Sequence, residues 1–173
     1  RGGGLGRLDL PTRRLTSFTL SLKEDPEVLR HPSGNIVRES TDQPTHRQVL
    51  AVAGGTAGDA WFATKEHPLR HYRTRDNTWE GIDQVRNCTS LASDTEQLLV
   101  GQRWNYFSHD KSGPLGVSIL NFKDGQWRSL KEAEGLPPGA VTTLTLDGHN
   151  LWVGGMGYIA LVDPAQDKVL GFA

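Results

Sequence analysis

The chain has 173 residues, of which 36% are hydrophobic and 23% charged, the proportions of a soluble globular protein. Its formal net charge of −1, with scattered Lys and Arg, excludes the basic surface that binding to DNA or RNA requires. A single cysteine, Cys88, excludes an intrachain disulfide framework without fixing the cellular compartment, and no apolar run reaches the ~18 to 20 residues of a membrane span.

The first segment, residues 1–22, contains "GGGLGRLDLPTRRLTSF", which resembles "GGMGYIALVDPAQDKVLGF" at the other end of the chain, with Pro11 matching Pro164. It is predicted to be the second half of a repeated unit. Because no signal peptide or initiator Met precedes it, the sequence is expected to be cut from a longer polypeptide. Residues 23–47 match no repeat and are polar with three prolines, which indicates an irregular rim loop or a disordered insertion.

Three complete units follow, over residues 48–83, 84–131 and 132–173. Each contains one version of a common pattern: "VLAVAGGTAGDAWFAT", then "CTSLASDTEQLLVGQ", then "VTTLTLDGHNLWVGG". The second unit is interrupted by an insertion at residues 102–116.

Each unit consists of short apolar or alternating runs that are separated by Gly, Asp and Pro, the pattern of strands joined by tight turns. In the last unit strands are predicted near 141–146, 151–155, 158–163 and 168–172. Little helix is expected, since no long run has a 3.6-residue apolar period.

Four short strands in every 40 to 50 residues are typical of a β-propeller blade, so the fold class predicted is all-β: a segment of about three and a half four-stranded blades from a larger propeller. Blades bury their apolar faces only against neighbouring blades. The large apolar residues at equivalent positions are therefore predicted to form the repeat core: Trp61, Trp79, Leu99, Trp127 and Trp152. Three and a half blades do not close a ring, and the remaining blades of the same chain are expected partners.

The last unit, "GLPPGAVTTLTLDGHNLWVGGMGYIALVDP", closely resembles the two-component regulator propeller repeat. The resemblance is good over residues 135–173, fair over 49–82 and 88–130, partial over 2–18 and absent over about 23–47. It implies a propeller in the extracytoplasmic sensor region of a bacterial signalling protein, or in an exported protein. It therefore implies a periplasmic or extracellular location.

The insertion is the one candidate binding site. It places Arg103, Trp104, Tyr106 and His109 close together in sequence, a mixture suited to stacking on a sugar or contacting a peptide. The alternative is a loop that folds its aromatic side chains onto its own blade or the next one.

The remaining chemistry is sparse. His67 and His71 are four residues apart but flank Pro68 on a predicted strand, so no metal site is predicted. No phosphate-binding loop or nucleophile motif is present, no cofactor is expected, and Cys88 is predicted to be buried at a strand start.

The sequence therefore predicts a non-catalytic propeller scaffold of a larger bacterial sensor or exported protein that binds a ligand or partner through rim loops. Two alternatives stay open: a carbohydrate-active propeller enzyme, a lyase or glycosidase, and a pure protein-interaction platform. The enzyme would need ionisable groups on the innermost strands, and "VLAVAG", "CTSLAS" and "VTTLTL" carry no acid, His, Lys or Arg.

Overall fold

A computed structural model of the chain describes residues 49–64, 68–103 and 116–173 in full, and the backbone of four short strands before them. These short strands are β1 (Leu5–Asp9), β2 (Arg14–Phe18), β3 (Val28–Arg30) and β4 (Ile36–Arg38). They pair as two antiparallel hairpins, β1 with β2 and β3 with β4. The second hairpin lies within residues 23–47.

The rest of the described chain forms three antiparallel sheets of four strands each. The first sheet contains β5 (Val49–Gly54), β6 (Ala60–Thr64), β7 (Leu69–Arg73) and β8 (Thr78–Ile82). The second contains β9 (Cys88–Ser93), β10 (Gln97–Gln102), β11 (Gly116–Asn121) and β12 (Trp127–Leu130). The third contains β13 (Val141–Asp147), β14 (Asn150–Gly155), β15 (Tyr158–Asp163) and β16 (Lys168–Phe172). Two 3-10 turns, Thr56–Gly58 and Glu132–Glu134, are the only helical segments among the described residues.

The three sheets repeat the same register. In each, the first two strands pair with one irregularity at the same position, which leaves Leu50, Thr89 and Thr142 without a direct cross-strand partner. A bulge of this kind increases the local twist of a strand pair. The irregularity therefore falls at the equivalent position of each of the three sequence repeats.

The first strands of the sheets lie side by side. Strand β9 contacts both β5 and β13, and the Thr89 hydroxyl donates a hydrogen bond of 2.8 Å to the carbonyl oxygen of Val141 on β13. The sheets are therefore arranged with their first strands innermost, as blades around an axis. This confirms the predicted all-β propeller segment.

Two apolar layers hold the sheets together. Between the first and second sheets, Trp61, Leu69, Leu98 and Val100 are almost completely buried. The layer between the second and third sheets contains Leu99, Val117, Ile119, Leu144, Leu151, Val153, Ala160 and Val162. Burial of such side chains contributes roughly 1.5 to 3 kcal/mol each, so the stability of one sheet depends on its neighbours.

The predicted core residues differ in burial. Trp61 and Leu99 are buried, whereas Trp79 and Trp127 are half-buried on the outer strands β8 and β12. The prediction that Trp152 belongs to the buried core is wrong, because this residue is 39% exposed. It lies on the side of the third sheet that faces away from the second sheet. In the described part of the chain no helix has the length and apolar character to cross a membrane.

Candidate functional site

The insertion predicted as a binding site begins where β10 ends. Arg103 is half-buried, and its backbone amide donates a hydrogen bond of 3.1 Å to the carbonyl oxygen of Asn87. The other three predicted binding residues, Trp104, Tyr106 and His109, lie outside the described residues. The site they would form with Arg103 therefore stays a prediction.

A buried polar network anchors the base of this insertion. The Gln102 side chain is 1% exposed; its amide nitrogen donates to the Arg86 carbonyl oxygen at 3.0 Å, and its oxygen accepts a 2.6 Å hydrogen bond from the Ser118 hydroxyl. Gln102 pairs directly with Gly116 across the two strands. The two ends of the insertion are thus held together by the sheet itself.

The opposite rim of the sheets is built from turns that are hydrogen-bonded to each other. In the first sheet, the Asp59 carboxylate accepts a hydrogen bond of 2.9 Å from the Thr74 amide, and the Thr74 hydroxyl donates to the Gly58 carbonyl. These contacts join the β5–β6 turn to the β7–β8 turn. A short acceptor side chain such as Asp is well suited to fixing backbone amides in turns.

The second sheet has an analogous connection on the same rim. The Asp94 carboxylate accepts hydrogen bonds from the amides of Glu96 and Gln97, which forms the tight β9–β10 turn. The Phe122 amide then donates a 2.8 Å hydrogen bond to the Glu96 carbonyl oxygen, joining this turn to the β11–β12 turn. The turns are consequently fixed in position relative to the strands.

A cleft of about 410 Å³ lies between the rim turns of the first and second sheets. We call it the rim cleft. It is lined by Thr56, Thr95, Glu96, Asn121, Phe122 and Lys123. Its volume lies within the range of small-ligand sites, and its lining residues carry hydroxyl, amide, carboxylate, ammonium and aromatic groups. Glu96 and Lys123 are exposed, and neither forms an ion pair with another described residue.

The rim cleft and Arg103 lie at opposite ends of β10. The cleft includes the turn before Gln97, whereas Arg103 follows Gln102. At about 3.3 Å per residue, the six residues of this strand separate the two places by roughly 20 Å. They are therefore two separate candidate sites.

A second polar cluster lies on the face of the first sheet that packs on the second. The His71 imidazole is stacked on the Trp61 indole, with ring centroids 3.8 Å apart and 3° between the planes. Its Nε2 atom lies 3.2 Å from Asp59 Oδ2, and its Nδ1 atom lies 3.9 Å from Glu80 Oε2. Burial lowers the pKa of His71 below its usual value, against the opposing effect of the Asp59 carboxylate.

His71 and Asp59 are residue types that form catalytic acid–base pairs, but here their side chains are poorly accessible to a substrate. Only 12% of the His71 side chain and 16% of the Asp59 side chain are exposed, and Asp59 is also engaged by the Thr74 amide. The arrangement fits a structural link between rim turns and sheet face. No group of three potential metal ligands occurs among the described residues, and His67 lies outside them.

Cys88 lies at the start of β9 and is 1% exposed. Burial raises the pKa of its thiol to about 12, so almost none of it is thiolate at neutral pH. This confirms the prediction from the sequence that Cys88 is buried at the start of a strand.

The sequence identified neither the rim cleft nor the His71–Asp59 pair. The cleft residues come from three turns that are far apart in sequence, and only the packing of two sheets brings them together. The pair could have been found from register: Trp61 and His71 are direct cross-strand partners, and Asp59 is two residues before Trp61.

The fold is similar to several solved structures. The extracellular domain of a hybrid two-component system from B. thetaiotaomicron superposes with a TM-score of 0.61 at 16% identity, covering 98% of this chain and 22% of that one. The extracellular domain of a one-component system from the same organism superposes with a TM-score of 0.57 at 17% identity, covering 79% of this chain and 18% of that one. The computationally designed protein Ika8 gives 0.51 at 14% identity, covering 74% and 37%.

The class of protein that this architecture defines is the β-propeller, of which the chain is a segment. The chain spans about a fifth of the length of the two bacterial structures. At this level of identity the similarity establishes the fold, and it agrees with the resemblance of the repeat to the two-component regulator propeller. No protein-family model matches the chain, and no curated protein is significantly similar to it.

Proposed function

We propose that this chain is part of a non-catalytic propeller scaffold in a bacterial sensor or exported protein, and that it binds a ligand or partner through its rim. The observation that carries the proposal is the rim cleft, in a fold shared with two extracellular domains of signalling systems. A periplasmic or extracellular location belongs to the same proposal. The remaining blades of the propeller would come from the same polypeptide.

The cleft supports recognition without catalysis. Its two charged side chains, Glu96 and Lys123, are exposed at turns, where water screens their charge. Catalytic acids and bases usually depend on burial or close charged neighbours to adjust their pKa. The rim cleft also consists of turns fixed by backbone hydrogen bonds, which favours binding in a preformed site.

The innermost strands also favour a scaffold over a carbohydrate-active enzyme. Strands β5, β9 and β13 contain one acidic residue between them, Asp147, which is the last residue of β13. The insertion site predicted from the sequence, Arg103 with Trp104, Tyr106 and His109, is kept as a second proposed site, either for a carbohydrate or for a peptide. A pure protein-interaction platform would use the same rims.

The proposal is tested by titrating the isotope-labelled chain with a panel of oligosaccharides and short peptides while recording amide chemical shifts. Binding at the rim cleft is expected to move the amides of Thr95, Glu96 and Lys123. Binding at the insertion would instead move Arg103. If no compound in either panel shifts either group at millimolar concentration, ligand recognition by this segment is wrong.

Matched variants identify the side chains involved. Lys123→Ala is expected to weaken binding at the cleft by roughly ten-fold, the loss of one charge-assisted hydrogen bond. Lys168→Ala, which removes another exposed lysine, on the third sheet, is the control and is expected to bind normally. Release of shortened or unsaturated sugars from an oligosaccharide during the titration would favour the enzyme alternative.

A further inference from the structure

Arg70 places a partly buried positive charge on one face of the first sheet. Because side chains alternate along a strand and Trp61 packs against the second sheet, Phe62 and its cross-strand partner Arg70 lie on the other face. Phe62 is 4% exposed and Arg70 is half-buried. The Arg70 Nε atom is buried and has no hydrogen-bond partner in the described part of the chain. Buried donors without a partner are uncommon in folded proteins, so this one calls for an explanation.

The acidic residues nearest to Arg70 in the sheet are paired with other arginines. The Glu80 carboxylate on β8 accepts a hydrogen bond from the Arg73 guanidinium. The Asp83 carboxylate, just beyond the end of β8, lies 3.0 Å from Arg86 Nη2. Within the described ranges Arg70 itself forms no ion pair. Its charge is therefore not neutralised by either of these two acids.

The other two sheets have no charge at the position of Arg70. In the same register, the second sheet has Ser118 and the third sheet has Ala160, both small and uncharged. Their partners on the outermost strands, Ser129 and Phe172, both carry side chains, whereas the first sheet has Gly81 at that position. The combination of an arginine with a glycine on the outer strand is therefore a departure of the first sheet from the repeat.

Gly81 provides the space that the Arg70 guanidinium occupies. A Cβ atom built on Gly81 would lie 2.8 Å from Arg70 Nη1 and 3.5 Å from its Cζ atom. The guanidinium thus extends over β8, where Gly81 is exposed. Its planar set of donors matches the paired oxygens of a carboxylate or a phosphate group. The almost completely buried Phe62 on its other side reduces the water around it, which strengthens the attraction for an anion.

We propose that Arg70 and Gly81 form a binding site for an oxyanion, the carboxylate or phosphate group of a small anionic ligand, at the outer edge of the first sheet. The site is separate from the rim cleft. Arg70 is four residues along the chain from Thr74, in the turn that is joined to the cleft side of the sheet, which corresponds to roughly 13 Å. The inference does not depend on ligand binding at the cleft or at the insertion.

A titration of the isotope-labelled 173-residue chain tests the proposal. Sodium acetate and inorganic phosphate are added separately, at an ionic strength held constant with sodium chloride, while the Nε–Hε resonance of Arg70 is recorded. A saturable shift with a dissociation constant in the millimolar range is expected for at least one anion, and the tighter of the two identifies the preferred group. At ten times that constant, Tm is expected to rise by roughly 3 to 6 °C.

Three variants separate this site from general attraction of anions. Arg70→Gln is expected to abolish the anion-dependent rise in Tm. Gly81→Ala keeps the charge but displaces the guanidinium, and is expected to weaken binding roughly five- to ten-fold. Arg75→Gln, which removes an exposed arginine from the β7–β8 turn, is the matched control and is expected to bind as the original chain does.

Three results would overturn the inference. The first is an Arg70 resonance that neither anion shifts up to 100 mM, a concentration well above the millimolar constants expected. The second is an equal rise in Tm for the original chain and Arg70→Gln, which would mean that the anions stabilise the protein non-specifically. The third is a shift of the Lys123 amide in place of Arg70, which would locate the anion at the rim cleft.

Discussion

Gly101 is a position where one added methyl group should loosen the contact between two sheets. A Cβ atom there would lie 2.7 Å from Val141 Cγ1 and closer still to Ser90 Oγ, both well inside van der Waals contact. The Ser90 hydroxyl has no hydrogen-bond partner among the residues that the structure describes, so its rotation away breaks no bond there. Val141 is less able to move, because its carbonyl accepts the Thr89 hydroxyl bond that joins the first strands of the second and third sheets.

The expected cost follows from these contacts. Overpacking by one methyl group costs about 1 to 3 kcal/mol, and replacement of Gly by Ala returns about 0.4 to 1 kcal/mol by restricting the unfolded chain. Gly101→Ala is therefore expected to lower the free energy of unfolding by roughly 1 to 2 kcal/mol. In a chain of this length that corresponds to a fall in Tm of about 2 to 8 °C.

The assay is thermal and urea unfolding followed by circular dichroism, with Gly54→Ala as the matched control. Gly54 is also a strand glycine, but nothing lies within 4 Å of a Cβ atom built there. Gly54→Ala is expected to be neutral or to stabilise by up to about 1 kcal/mol. Adding Ser90→Ala to Gly101→Ala should recover part of the loss. A Gly101→Ala chain as stable as Gly54→Ala would refute the view that close approach of the sheets requires this glycine.

Three further variants and one labelling experiment test other contacts. Arg128→Ala removes the 2.8 Å bond from β12 to Asp167 in the β15–β16 turn, together with the bonds that Arg128 donates to the Pro164 carbonyl and the Gln97 side chain. Because the Arg128 and Asp167 side chains are about one-third exposed, the expected loss is only roughly 1 to 2 kcal/mol in urea unfolding. Ser118→Ala leaves the buried Gln102 oxygen without its donor and should cost about 1 to 3 kcal/mol, whereas a loss under 0.5 kcal/mol would contradict the role of this network. For His71, whose pKa burial lowers, the unfolded chain binds the proton at higher pH than the folded one. The free energy of unfolding should therefore fall as the pH drops below about 6.5, and His71→Gln should remove that part of the slope between pH 7.5 and 5. With a thiol pKa near 12, Cys88 should react with iodoacetamide at pH 8 roughly 10³-fold more slowly in the folded than in the unfolded chain, and rapid labelling of the native chain would argue against its burial.

The repeat made most of the fold predictable from the sequence. In the third sheet, the predicted strands differ from the observed ones by at most one residue at either end, because Asp-Gly and Gly-rich turns mark where each strand stops. The β7–β8 and β11–β12 turns span residues 74–77 and 122–126, and each contains a residue with positive φ, Asn77 and Gly125 respectively.

The candidate sites were less predictable, for a physical reason. Burial of Trp61 and exposure of Trp152 follow from which sheet lies beside each, although the two residues occupy equivalent positions on the second strands of their sheets. The rim cleft depends on the distance between turns of different sheets. Neither the burial of these Trp residues nor the cleft can be derived from the sequence of a single repeat. The candidate residues of the insertion could be identified because the insertion interrupts the repeat.

The paired ends of the insertion have a practical consequence for engineering. Gln102 and Gly116 stand opposite each other as ordinary strand partners, so whatever chain connects them starts and finishes at neighbouring points. Connections of very different length are then interchangeable at small entropic cost, since closing a loop becomes only slowly harder as it lengthens. This makes β10–β11 an acceptor position for grafted peptides. Gly116 itself must be kept, because its φ of +128° and the nearby Leu130 carbonyl leave no room for a side chain.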